Sequence, residues 1–167
     1  MRLRPAVRDD VPLLKKWDTH EHVRAVYGGD AWYDWEREIP RMENWGEILI
    51  AEKDGTPIGV IDIIDPSKEP SQYWGKVGPG YRAIDIWIGE ASNLGRGYGS
   101  QMMTLALDRC FESPIVHEIL IDPLDRNHRA KRFYERLGFT FVELRKFETE
   151  NCAIYRLDRS TYFARKS

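Results

Sequence analysis

Three glycines on alternate positions, Gly95, Gly97 and Gly99, separate a strand-like run, Ala83-Ile84-Asp85-Ile86-Trp87-Ile88-Gly89, from a helix-like run, Gln101 to Cys110. Glycine lets the backbone turn sharply and leaves no side chain in the way of a ligand. The first N–H groups of a helix lack intrahelical partners and carry partial positive charge, so strand, glycine turn and helix start together make an anion cradle. Spacing sets this loop apart from two other phosphate loops. A Walker loop continues with Lys and Ser/Thr after its last glycine, whereas Gly99 is followed by Ser100-Gln101. A dinucleotide fingerprint reads Gly-x-Gly-x-x-Gly and lies in the first β-α unit; this loop reads Gly-x-Gly-x-Gly and follows the fourth predicted strand.

The rest of the chain supplies the elements around that loop. Met1 to Val7 alternates as a short strand, and Asp9-Asp10 give an acidic start to a helix carrying Val11, Leu13, Leu14 and Trp17. His20 to Tyr27 extends the helical region up to Gly28-Gly29, and Asp34 caps a third stretch, Trp35 to Met42. Glu47 to Lys53 and Pro57 to Ile64 read as two strands joined by Asp54-Gly55, a hairpin turn signal; Gly59 marks a bulge or close packing. Asp65 to Tyr81 holds three prolines and three glycines, a long irregular segment of the kind that carries function or motion. Beyond the glycine loop come a strand at Val116 to Ile121, a helix from Asn127 to Leu137 closed by Gly138, and strands at Phe139 to Leu144 and Cys152 to Leu157. The order β-α-α-β-β-β-α-β-α-β-β predicts one α/β (α+β) domain over residues 1–167, with helices layered on a mixed sheet.

Composition narrows the function classes. The chain has 167 residues, 42% apolar and 31% charged, with a net charge of −2, so no broad basic field invites nucleic acid or an anionic membrane. No apolar run reaches the length of a membrane span, and two well-separated cysteines, Cys110 and Cys152, fit a reducing, cytoplasmic setting without a metal site. Six tryptophans, Trp17, Trp32, Trp35, Trp45, Trp74 and Trp87, are too many for the core alone, so some are expected to line a pocket.

A second motif gives the glycine loop its meaning. Asn127-x-x-Ala130-x-x-x-Tyr134-x-x-x-Gly138-Phe139 follows a strand in the right order and spacing. Together the two motifs resemble the GNAT superfamily of N-acetyltransferases, whose element order matches nearly the whole chain and implies a mixed, mostly antiparallel sheet flanked by helices. Within it, Ile84-Asp85, Ala91 to Gly99, Asp122-Pro123 and the pair Tyr73-Trp74 resemble bacterial aminoglycoside 6'-N-acetyltransferases. Acetyltransferases of siderophore hydroxamate synthesis look similar over the same loop.

The resemblance implies acetyl-CoA as donor. Its diphosphate would lie along Leu94, Gly95, Arg96, Gly97, Tyr98, Gly99 and Ser100, with Arg96 either adding charge or facing solvent. Its amide-bearing arm would add as a strand at Trp87 and Ile88 if that strand splays from Val116 to Ile121. Asn127 either caps its helix or holds the donor, and the resemblance favours the donor. Asp85 is an acid in an apolar strand, on the face of Trp87 and away from Ile84, Ile86 and Ile88. It is either paired with an arginine such as Arg82 or placed for function; the resemblance makes it the base that takes the amine's proton. Tyr134 is the candidate acid for the departing thiolate, since a phenol of pKa about 10 keeps its proton at neutral pH.

Tyr73, Trp74, Asp85 and Asp122 are the candidate acceptor-binding residues, Asp122 being otherwise a turn acid before Pro123. Trp74 to Gly80 carries Lys76 and no acid, so carboxylates for a polycation would come from Asp65 and Glu69, or from Asp18, Glu21, Asp30, Asp34 and Glu36. The reading is an acetyl-CoA-dependent N-acetyltransferase for a small-molecule amine, an aminoglycoside 6'-amino group leading, in a monomer or homodimer. A siderophore, hydroxylysine or protein amine is the alternative acceptor, and an acyl-CoA-binding sensor is the non-enzyme alternative.

Overall fold

The computed structural model describes residues 1–27, 33–42, 44–147 and 149–166. Its strands are β1 (Arg2–Pro5), β2 (Gly46–Lys53), β3 (Thr56–Ile64), β4 (Tyr81–Ile88), β5 (Glu118–Ile121), β6 (Thr140–Phe147) and β7 (Glu150–Asp158). They form one sheet in the order β1-β2-β3-β4-β5-β7-β6. Every pairing is antiparallel except β4 with β5. The mixed, mostly antiparallel sheet expected from the resemblance is therefore present.

The β2–β3 turn has Asp54 at φ 52 and Gly55 at φ 79, the two left-handed residues that a tight hairpin of the right twist requires. Both expectations for Gly59 hold. The β2–β3 register shifts next to it, and a Cβ there would sit 2.3 Å from the Trp87 carbonyl oxygen.

Helices cover both faces. On one face, α4 (Tyr98–Glu112), α5 (His128–Leu137) and α6 (Arg159–Lys166) bury Met102, Met103, Leu107, Tyr134 and Tyr162 against Ile61, Ile84 and Ile119. On the other, α1 (Val11–Asp18), α2 (Glu21–Tyr27) and α3 (Trp35–Met42) bury Leu14, Trp17, Val23 and Trp35 against Ile50, Val60 and Trp87. Alternation along β4 sends Ile84 to the first core and Trp87 to the second, as a period of two requires.

Several elements differ from the expected bounds. Helix α4 begins at Tyr98, so Gly99 and Ser100 lie in its first turn rather than in the loop before it. The Asp10 carboxylate does not cap α1; it accepts both Arg4 guanidinium nitrogens at 2.7 Å and the Val7 N–H at 2.8 Å, tying β1 to a 3-10 turn before the helix. The carbonyl of Asp34 accepts from Arg37 and Glu38 at the start of α3. Helix α6 was not expected, yet its start is written in the sequence: the Asp158 carboxylate accepts the Thr161 N–H at 2.9 Å and its hydroxyl at 2.6 Å. Trp17, Trp35, Trp45, Trp74 and Trp87 are all buried, so the expectation that the tryptophans exceed the core is corrected for these five, while Trp45 and Trp74 also line a cleft, as expected of some of them; Trp32, Gly28, Gly29 and Asp30 lie outside the described residues.

Candidate active site

The donor side starts where β4 and β5 part. Their parallel ladder covers only Tyr81↔Glu118, Arg82↔Ile119 and Ala83↔Leu120, and β5 ends at Ile121. From Ile84 onward the β5-facing edge of β4 has no strand partner among the described residues, which is the splay a strand-like ligand needs. The Gly89 N–H donates to the Ile58 carbonyl, so Ile88 and Gly59 are an antiparallel pair that does not exchange hydrogen bonds. Ile88 and, two residues back, Ile86 therefore turn their N–H and C=O groups to the open edge. Trp87 turns its own towards Val60, so its expected role in holding the donor arm passes from its backbone to its neighbours. The Ile88 carbonyl also lies 2.9 Å from His22 Nε2.

The open edge runs into the glycine loop. Gly95 and Gly97 have φ of 74 and 76, and nothing lies within 4 Å of where a Cβ would be at either, so the loop leaves open space over the start of α4. Gly97 is the N-cap residue and has no side chain to satisfy the first helical N–H groups. These stay available to an anion. Gly99 differs from Gly95 and Gly97: it has no positive φ, and a Cβ there would make ordinary contact with the Phe133 ring at 3.6 Å. Leu94 and Tyr98 are half-buried, while Arg96 and Ser100 are exposed. Asn127 caps α5, its Oδ1 accepting the Ala130 N–H at 3.0 Å, which is the first of its two readings.

The acceptor side is a cleft of about 480 Å³ over the sheet's other face. Its walls are aromatic: Tyr33, Trp45, Tyr73, Trp74 and Phe147. Tyr73 stacks on Phe147 at 4.1 Å, and Trp74 meets Tyr73 edge-on at 5.7 Å. Among the described residues four carboxylates line it, Glu69, Asp85, Asp122 and Glu150, and neither Lys nor Arg does. The long segment 65–80 is folded rather than loose. Glu69 accepts the N–H groups of Ser71 and Tyr73, and Asp65 holds the Ser67 hydroxyl at 2.6 Å and Arg82 at 3.3 Å. That pairing takes Arg82 away from Asp85, which has no side-chain hydrogen bond or ion pair among the described residues. The Tyr73 hydroxyl donates to Asp122 at 2.6 Å, bringing two candidate acceptor residues together.

Burial raises the acids of the cleft floor. It pushes Asp85 up to about 6. Asp122 rises to about 7 through burial and then the Asp85 charge, against the Tyr73 hydrogen bond and the Arg145 charge. The Tyr134 hydroxyl is held well above a normal phenol by burial and by the charges of Asp85 and Asp122, so it stays protonated. Burial also pushes the Cys152 thiol up to about 11, which removes it as a nucleophile at neutral pH. Burial works to raise Glu69 too, but the N–H and hydroxyl bonds from Ser71 and the Tyr73 N–H outweigh it and leave it below the usual range. Glu150 is lowered by its bond with Arg126.

Of the expected N-terminal acids that are described, Asp18, Glu21, Asp34 and Glu36, none lines the cleft; Asp30 lies outside the described residues. Asp18 is buried, with its Oδ2 accepting Trp35 Nε1 at 2.6 Å. Glu36 pairs with Lys15 at the surface at 2.5 Å, Asp34 is exposed, and Glu21 borders a separate depression beside His20 and His22. Sequence reasoning missed Tyr33, Phe147 and Glu150, which are distant in the chain and carry no local motif. It also missed Asp62, directly across the ladder from Asp85. That residue had a signal: Ile61-Asp62-Ile63 is the same acid-in-apolar-strand pattern as Ile84-Asp85-Ile86.

A strand edge opened for an extended ligand, continuous with an anion-ready helix start and backed by unpaired acid in an aromatic cleft, is the layout of an acyltransferase. The chain belongs to the acetyltransferase (GNAT) domain family, whose model matches residues 6–147. It is 29% identical over 145 residues to an aminoglycoside N(6')-acetyltransferase type 1 of Klebsiella pneumoniae, covering 82% of this chain and 72% of that one. A kanamycin resistance protein of Rhizobium radiobacter is 38% identical over 72 residues, 42% of this chain and 67% of that one. The crystal structure of the aminoglycoside acetyltransferase AAC(6')-Ib in complex with coenzyme A and kanamycin superimposes with a TM-score of 0.88 at 24% identity, covering 99% of this chain and 98% of that one.

Proposed function

We propose that this acetyltransferase moves the acetyl group of acetyl-CoA to a primary amine of an aminoglycoside-type polycation. The observation that carries the reading is the cleft: among the described residues of its lining are four carboxylates and aromatic walls, and no lysine or arginine. A polycationic sugar offers ammonium groups for the acids and ring faces for the aromatics. The relatives' names and the kanamycin-bound neighbour support the same class of acceptor.

Bound acetyl-CoA supplies an activated acetyl thioester. The N-terminal N–H groups of α4, around Gly97, hold its diphosphate, and the open edge at Ile86 and Ile88 takes the amides of its arm. Arg96, exposed beside the loop, adds charge. Asp122, Glu69 and Glu150 hold the acceptor's ammonium groups, with Tyr73 and Trp74 against its rings. The Asp85 carboxylate, ionised above about pH 6, accepts the proton that the attacking nitrogen gives up as its lone pair forms the new C–N bond. The C–S electron pair returns to sulfur, and the protonated Tyr134 hydroxyl donates to it. The protein is cytoplasmic in this reading, where acetyl-CoA is made available.

Calorimetric titration with acetyl-CoA, followed by a turnover panel of kanamycin, a hydroxylamine-bearing lysine and a lysine peptide, tests the proposal. Micromolar donor binding with turnover of kanamycin is expected. Donor binding without acetylation of any amine would leave a sensor, and preference for the lysine compounds would move the acceptor to the siderophore class.

A further inference from the structure

Asp62 lies on β3 directly opposite Asp85, on the same face of the sheet, with 1% of its surface exposed. Its Oδ1 is buried without a hydrogen-bond partner. The charged groups facing it are all acids: Asp85 from β4, Glu38 from α3 and Asp18 from α1. Its neighbour on β2 is Ile48, and the Tyr33 ring lies within reach of the Asp62 and Asp85 charges. Arg41 pairs with Glu38 at 3.4 Å, and neither Asp62 nor Asp85 has an ion pair among the described residues. Asp85 opens on the cleft; Asp62 does not.

Two carboxyl groups opposite each other in an apolar surround cannot both ionise cheaply. The one open to the cleft has access to water and to substrate, so it carries the charge, and the enclosed one carries the proton. We infer that Asp62 is a positioning residue of this site: it keeps its proton while no acceptor is bound and releases it when a cationic acceptor settles over Asp85. The inference rests on the polycation reading of the acceptor.

The magnitudes support the coupling. Opposed residues on an antiparallel pair hold their Cβ atoms about 5 Å apart. An ammonium seated on Asp85 is then about 6–7 Å from Asp62, and at an effective dielectric of about 20 it lowers the proton affinity of Asp62 by about two pH units. The O–H bond of Asp62 breaks, its electron pair stays on the carboxylate, and the proton leaves by way of Asp85 to the buffer. The site thus gains negative charge only when positive charge is present to balance it.

The test is calorimetric titration of kanamycin at pH 8 in two buffers of different ionisation heat. At that pH Asp85 and Asp122, at about 6 and about 7, have largely lost their own protons. The wild type is expected to release roughly half a proton more per kanamycin bound than Asp62→Asn. Equal proton counts overturn the inference. An infrared measurement covers the case in which the amide does not pack. The free wild-type protein at pH 8 shows the carbonyl band of an un-ionised carboxylic acid, and kanamycin diminishes it; absence of that band in the free protein overturns the inference. If kanamycin does not bind, the aminoglycoside reading fails, and the band still decides whether Asp62 holds a proton.

Discussion

At the scale of single residues, the cleft floor is costly to the fold and useful to the chemistry. The pKa values of Asp85 and Asp122 are raised in the folded protein, so between pH 4 and 7 the native state binds more protons than the unfolded chain. Stability from this source is fully present below the unfolded carboxylate pKa of about 4 and is lost as pH rises through about 6 and about 7. Asp85→Asn is therefore expected to raise the melting temperature at pH 8 by a few degrees. The same substitution is expected to lower turnover by about 10²–10⁴, with acetyl-CoA affinity unchanged in calorimetry. A parallel loss of donor affinity would assign Asp85 a structural role instead. In the wild type, kcat/KM should climb with pH through about 6 as Asp85 ionises, and Asp85→Asn should abolish that limb.

At the scale of elements, what the sequence announced was whatever a short stretch of chain determines by itself. Asp54-Gly55 made its hairpin, Gly138 closed α5 at φ 100, and the glycine loop opened α4. The loop's inner detail was not readable, because three alternating glycines do not say where the turn ends and the helix starts, and Gly99 proves to lie in the first turn of α4. Helix α6 was overlooked although Asp158, Ser160 and Thr161 spell an N-cap; the apolar pattern that follows is only Tyr162 and a half-exposed Phe163. Asp158→Ala should lower unfolding free energy by about 1 kcal/mol in urea titration. The Asp158 pKa is depressed by its hydroxyl and N–H bonds, so this contribution is present at neutral pH and fades on acidification below about pH 4. Gly97→Ala forces a side chain into a left-handed backbone at a cost of about 1–2 kcal/mol. It should weaken acetyl-CoA binding about tenfold while kanamycin affinity holds.

At the scale of the whole molecule, the acceptor cleft is assembled from segments that meet only in three dimensions. Glu69 comes from the long segment after β3, Asp85 from β4, Asp122 from the end of β5 and Glu150 from β7. No stretch of the chain is notably acidic, which is why the sequence singled out the glycine loop and Asp85 but not the full lining. Such a cleft should respond to salt: the KM for kanamycin should rise with ionic strength, while that for a neutral amine stays level. The brevity of the β4–β5 ladder has a consequence of another kind. Among the described residues, three ladder pairs join the β1–β4 wing to the β5–β7 wing, extended by the Gly80 carbonyl, which accepts from the His117 and Glu118 N–H groups. An extended ligand laid along Ile86 and Ile88 would act as a splint across that seam. The free protein should breathe there, and in hydrogen exchange the amides of Ile86 and Ile88 should slow markedly once acetyl-CoA is bound, the donor serving as a removable strand of the fold itself.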